Sequence, residues 1–114
     1  MKSSFVKSFS LVALAATFVF FTLSAVGGPP PNSTQEMYNR KCALCHGKDG
    51  NANTHDGKKY KVPSVRVAVK KYSEAAMIKV VEEGKGANMD SYSDELSPAQ
   101  IKALVEYYRG LAKK

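Results

Sequence analysis

Cys42-Ala43-Leu44-Cys45-His46 carries both cysteines of the 114-residue chain and one of its two histidines. Two thiols three residues apart, with an imidazole directly after them, form the Cys-x-x-Cys-His pattern of covalent haem attachment. At a helix end this spacing lets both thiols add to the two vinyl groups on one porphyrin edge, while the imidazole lies beneath the iron. Three other chemistries compete for these residues. A redox dithiol of the thioredoxin type normally sits between strand and helix in a βαβ unit, which this sequence lacks. A zinc site needs four ligands; His55 is the one histidine left to join these three, and Cys45 and His46 are adjacent and poorly placed to share a tetrahedron. A disulfide between the two cysteines closes a tiny loop and stabilises little.

Working outward, Ser33-Thr34-Gln35-Glu36 has the form of a capping box and predicts a helix from about Thr34 to Ala43. On the other side, Gly47, Gly50 and Gly57, interspersed with Asp49, Asn51, Asn53 and Asp56, make residues 47–60 a loop rather than an element. Val62 to Val69 alternates in places like a strand, but Pro63 and the absence of a pairing partner argue for extended chain or a short helical turn. Ser73 caps a predicted helix from Glu74 to about Glu83, with Met77, Ile78 and Val81 on one face and Gly84 at its end. The clearest element follows Ser97-Pro98-Ala99-Gln100, which supplies an N-cap, a proline at the first helical position and a capping-box glutamine. Leu96 can staple onto Ile101, and Ile101, Leu104, Val105, Tyr108 and Leu111 form an apolar stripe that leaves Lys102, Glu106 and Arg109 outward.

Residues 1–27 read differently from the rest. Lys2 and Lys7 precede an apolar run from Leu11 to Leu23 and then small residues, the pattern of a secretory signal, with cleavage expected after Gly27. The competing reading is a retained anchor over residues 8–28, which as a helix would be roughly 31 Å long and could cross a bilayer. Residues 28–32 form a Pro-rich leader, and the domain proper is expected over 33–114. Without the signal the chain keeps 15 basic and 10 acidic residues, so the basic surplus belongs to the folded part. An exported protein seldom meets nucleic acid, which leaves an acidic protein partner, an anionic surface or simple solubility. All five phenylalanines lie in the signal and tryptophan is absent, so so small a domain lacks aromatic bulk for a conventional core and needs a staple or a cofactor.

From Thr34 to Leu111 the chain resembles the small class I c-type cytochromes. The resemblance rests on Tyr38 four residues before Cys42, the run CALCHGKDG (residues 42–50), MIKVVEEGKGANM (77–89) and LSPAQIKALVEYYRGL (96–111). It implies an all-α, cytochrome c-like fold of three or more short helices wrapped around one covalent haem c, with N- and C-terminal helices crossing near the haem edge. It makes Met89 the sixth iron ligand opposite His46, and a thioether suits haem iron and raises its potential. Met89 is also the one methionine on a loop, after Gly84-Lys85-Gly86; Met37 lies too near the proximal side and Met77 on the apolar stripe of a helix. His55 is the alternative ligand. Pro63 resembles the family proline whose carbonyl accepts a hydrogen bond from the proximal imidazole. Three departures stand out: Asp90 follows Met89 where many relatives have proline, the loop between Gly86 and Met89 is a residue longer than the common form, and Thr34 occupies a position where many have glycine.

The expected function is that of a periplasmic one-electron carrier with His46/Met89 ligation, not an enzyme. Membrane association is expected only if residues 8–28 are retained. Its partners would be redox proteins with acidic docking surfaces, met by Lys58, Lys59, Lys61, Lys70, Lys71, Lys79 and Lys85, and the chain would be a monomer with no nucleic-acid role. Tyr92, Tyr107 and Tyr108 are expected to pack around the haem. The alternative is a haem protein with a weak or open sixth site that binds gas ligands or handles peroxide.

Overall fold

The computed structural model describes residues 31–114. Within them the chain forms α1 (Pro31–Lys41), α2 (Ala43–His46), α3 (His55–Lys59), α4 (Val65–Lys71), α5 (Glu74–Glu83) and α6 (Pro98–Leu111). The described residues contain no strand beyond an isolated bridge between Lys85 and Ala87, so the fold is all-α as expected. The expected signal, residues 1–27, lies outside the described residues, as do residues 28–30 of the leader.

Helix α1 begins two residues before Ser33, which therefore lies inside the helix and not at its cap. Pro31 explains the earlier start: it has no N–H to leave unsatisfied, and its fixed φ suits a first helical turn. The expected helix through Ala43 is instead broken at Cys42, where α2 takes over. The segment 47–60, expected to be all loop, contains α3, because the Thr54 hydroxyl caps it by accepting from the Gly57 N–H at 2.8 Å. Val65–Lys71 is a helix, α4, so of the two expected readings the helical turn holds and the extended chain does not. Helices α5 and α6 follow their sequence signals closely. Ser73 accepts from the Ala76 N–H at 3.1 Å, and both halves of the Ser97/Gln100 capping box are made.

Helix α6 is the spine: α1, α4 and α5 all pack on it. It buries Ile101, Leu104 and Leu111 along the expected stripe, against Met37 and Tyr38 of α1 and Val65 of α4, while Leu96 joins the same cluster. Met77 of α5 completes a smaller cluster with Ala68 and Val105. Thr34, which takes the place of the family glycine, is buried in α1. Arg109 is not outward as expected. Its guanidinium turns back over α5, donating to the Tyr72 carbonyl at 3.3 Å and to Met77 Sδ at 3.7 Å, with Glu74 at 3.9 Å. At Gly50, φ is +74°, and a Cβ would stand 2.9 Å from Val65 Cγ1; the Val65 N–H donates to the Gly50 carbonyl at 2.7 Å. This close approach seats the loop after His46 on the α4–α6 core.

Candidate functional site

The break between α1 and α2 sets the site. Cys42 keeps its N–H on the Tyr38 carbonyl at 2.8 Å, and its own carbonyl accepts from the His46 N–H at 2.9 Å, so the five-residue motif is one continuous turn. The chain leaves through Gly47 at a φ of 77°. Inside the core the Tyr38 hydroxyl donates to the Gly47 carbonyl at 2.8 Å, which fixes the exit. On the other side the Thr54 hydroxyl donates to the Cys45 carbonyl at 3.0 Å. Gly57 packs so tightly there that a Cβ would collide with the Cys45 and Ala52 carbonyl oxygens.

Burial decides the electrostatics. The Cys42 thiol is pushed up to about 11, mainly by desolvation. Cys45 is also raised, by desolvation first and then by the charges of Asp56 and Asp90. A redox dithiol needs the opposite shift, towards thiolate. Among the described residues no three His, Cys, Asp or Glu side chains converge to hold a metal ion, which leaves the zinc reading without a ligand set. Desolvation lowers the His46 pKa, so the ring stays neutral and able to ligate. Its Nδ1 is buried without a hydrogen-bond partner. The expected bond to the Pro63 carbonyl is therefore not formed. Pro63 is exposed, and the chain around it is tied elsewhere, Val62 N–H to the Gly57 carbonyl at 2.9 Å and Val65 to Gly50.

Tyr108 lies beside the motif, its ring edge-on to His46 with centroids 5.1 Å apart. Desolvation pushes its phenol up to about 12. Tyr107 packs instead on Tyr38, and the Tyr92 hydroxyl donates to the Lys41 carbonyl at 3.1 Å, one residue from Cys42. Met89 is half-buried on a turn closed by Lys85 N–H to the Met89 carbonyl at 2.7 Å. Gly84 makes room for that turn, since a Cβ there would lie 2.8 Å from the Met89 carbonyl oxygen. The turn is hung on α5 by Tyr92 N–H to the Val81 carbonyl at 3.0 Å, and Asp90 reaches Cys45 electrostatically. His55, the alternative ligand, is exposed at the start of α3. Of the lysines, Lys71 and Lys85 converge on the Tyr72 ring at 5.3 and 5.5 Å, whereas Lys79 pairs with Glu83 on α5.

Sequence reasoning missed Tyr38, Thr54 and Gly57 as supports of the motif. Thr54 had a signal, a hydroxyl three residues before Gly57 with Asp56 in the first turn; the roles of Tyr38 and Gly57 depend on contacts no local pattern encodes. Two neutral thiols beside a buried, neutral imidazole with an orphaned nitrogen fit covalent haem.

The family described as cytochrome c oxidase, cbb3-type, subunit III matches residues 29–107. The chain is similar to the cbb3-type cytochrome c oxidase subunit FixP of Azorhizobium caulinodans, 28% identical over 104 residues, covering 88% of this chain and 34% of the relative. FixP of Bradyrhizobium diazoefficiens is 28% identical over 79 residues, covering 68% of this chain and 26% of the relative. The chain thus spans about a third or a quarter of those relatives' length. Among solved structures, the c-type cytochrome KustC0563 superposes with a TM-score of 0.63 at 30% identity, covering 68% of this chain and 95% of that one. A point variant of KustC0563 superposes with a TM-score of 0.62 at 29% identity, covering 68% and 96%.

Proposed function

Because this chain belongs to the cbb3-type cytochrome c oxidase subunit III family and is a c-type cytochrome, we propose that it carries single electrons on one haem c, exported to the periplasmic side. Cys42 and Cys45 would hold the haem through thioethers, with His46 and Met89 as the axial pair. The buried imidazole of His46, kept neutral by desolvation and one residue from a free thiol, carries this reading. The haem, when bound, supplies a ferric/ferrous couple, and a His/Met pair in a buried site raises its potential.

The protein's own part is positioning. Tyr38, Thr54 and Gly57 hold the Cys42–His46 turn, so that the imidazole is presented in one orientation. Helix α5 and Gly84 hold the ends of the Met89 turn. Redox partners with acidic surfaces would meet the basic side chains, and FixP, as a subunit of an oxidase, suggests a terminal oxidase as one such partner. No helix among the described residues is long and apolar enough to cross a membrane.

Absorption spectra of the matured protein, oxidised and reduced, with carbon monoxide added to the reduced form, test the assignment. The expected result is a low-spin haem, no carbon monoxide adduct, and a sulfur-to-iron charge-transfer band lost in Met89→Ala. One observation favours a second reading with an open sixth site: Met89 belongs to neither hydrophobic cluster and is followed by Asp90. A high-spin spectrum with ready carbon monoxide binding would select it.

A further inference from the structure

Met89 belongs to neither hydrophobic cluster, so its place depends on what holds the backbone of its segment. The turn closes on itself through Lys85 N–H to the Met89 carbonyl, and the Ser91 hydroxyl and Tyr92 N–H donate to the Glu82 and Val81 carbonyls at 2.5 and 3.0 Å. These bonds return the segment to α5, from which it springs, and do not reach the Cys42–His46 turn. Another bond does. The Tyr92 hydroxyl, three residues after Met89, donates at 3.1 Å to the carbonyl of Lys41, one residue before Cys42. The break between α1 and α2 supplies this acceptor: the Cys45 N–H, which a continued helix would aim at the Lys41 carbonyl, turns to the Cys42 carbonyl at 3.3 Å. Lys41 Nζ adds an ion pair to Glu95 Oε2 at 2.5 Å, but those side chains are 32% and 57% exposed, where such a pair contributes little and is screened by salt.

Resting on the Met89 assignment above, we propose that Tyr92 is the positioning residue of the sixth ligand: its hydroxyl pins the Met89 segment to the Cys42 end of α1 and keeps the side of the haem opposite His46 closed to outside ligands. Ring and hydroxyl divide the work. The ring packs against the core cluster, which a phenylalanine would do as well. The hydroxyl adds direction, because a part-buried donor left without an acceptor is costly and the segment must lie against α1 to satisfy it. Asp90 makes this tether matter more, since a proline after Met89 would stiffen the turn from within and aspartate does not. Without the hydroxyl the turn keeps its bonds to α5, but its far end swings free of α1. A thioether held less firmly yields more readily to an added ligand.

The test titrates the matured ferric protein with imidazole, which competes for the sixth position, after its sulfur-to-iron charge-transfer band has been recorded. Tyr92→Phe keeps the ring in the cluster, and circular dichroism verifies that its helices are intact. Loss of one hydrogen bond predicts imidazole binding about fivefold tighter than in the unmodified protein, a readout that a merely structural role for Tyr92 would not move. Glu95→Gln, which removes only the exposed ion pair, should change the affinity less than about twofold. A charge-transfer band absent from the unmodified protein, or surviving in Met89→Ala, overturns the Met89 assignment and the role of Tyr92 with it. With the band present and lost in Met89→Ala, an imidazole affinity that Tyr92→Phe leaves unchanged overturns the role of Tyr92 alone. So does a Glu95→Gln variant that loosens the site as much as Tyr92→Phe, because the ion pair would then be the tether.

Discussion

Thr54 shows how much one hydroxyl can hold. It caps α3 through the Gly57 N–H and braces the Cys45 carbonyl, so Thr54→Ala removes both bonds. Loss of a cap of this kind costs about 1 kcal/mol, and denaturant unfolding of the matured protein measures it. Asp49 offers a second check. Its carboxylate accepts from the Asn51 N–H at 3.0 Å and from Asn51 Nδ2 at 2.8 Å, which holds its pKa below the ordinary carboxylate range. The turn is therefore favoured above the unfolded-state pKa and loosens as pH falls through the depressed one. An NMR titration of the Asp49 carboxyl should show the low midpoint, and Asn51→Ala, which removes the Nδ2 bond but keeps the backbone one, should raise it only part of the way. Cys42, Cys45 and His46 stand out in the sequence by residue type and spacing and Met89 by the family resemblance, while Tyr38 and Gly57 act through contacts made by the folded chain.

Helices with strong start signals were read almost to the residue. Ser73/Gly84 and Ser97/Pro98/Gln100 bound α5 and α6 because caps are local chemistry, formed within one turn. Helix α3 was not legible and α4 only as one of two alternatives, since five and seven residues are too few to display a 3.6-residue period and the surrounding Gly, Asn and Pro speak for loop. What makes them helical is tertiary, as at Gly50, where the chain is drawn against Val65 and Leu111. Gly50→Ala combines a side chain at positive φ with a clash against Val65, and the expected loss of stability exceeds about 1 kcal/mol, read as a shift in the unfolding midpoint without change in slope. Ser97→Ala, by contrast, should cost about 1 kcal/mol by weakening only the start of α6.

The whole molecule is built on a thin core. Tyr38, Ile101 and Val65 are the largest fully buried side chains, and the rest are mainly Leu, Met, Val and Ala. So small a core does not by itself stabilise a domain of this length. A chain with both Cys42→Ala and Cys45→Ala should therefore lose its helical circular dichroism at ambient temperature, and a well-folded double variant would show that the polypeptide needs no covalent partner. The aromatic poverty of the sequence announced this weakness, and the helical stripe pointed to Tyr108; that Tyr38 packs against Tyr107 and Tyr108 depends on how α1 and α6 meet.

A chain without tryptophan also carries its own optical reporter. Tyr108 meets His46 edge-on, with Tyr38 and Tyr107 in contact behind it, and a porphyrin held there would drain their excited states by resonance energy transfer. Loss of the prosthetic group would then light the interior up, and emission from unlabelled protein would register occupancy of the site in real time.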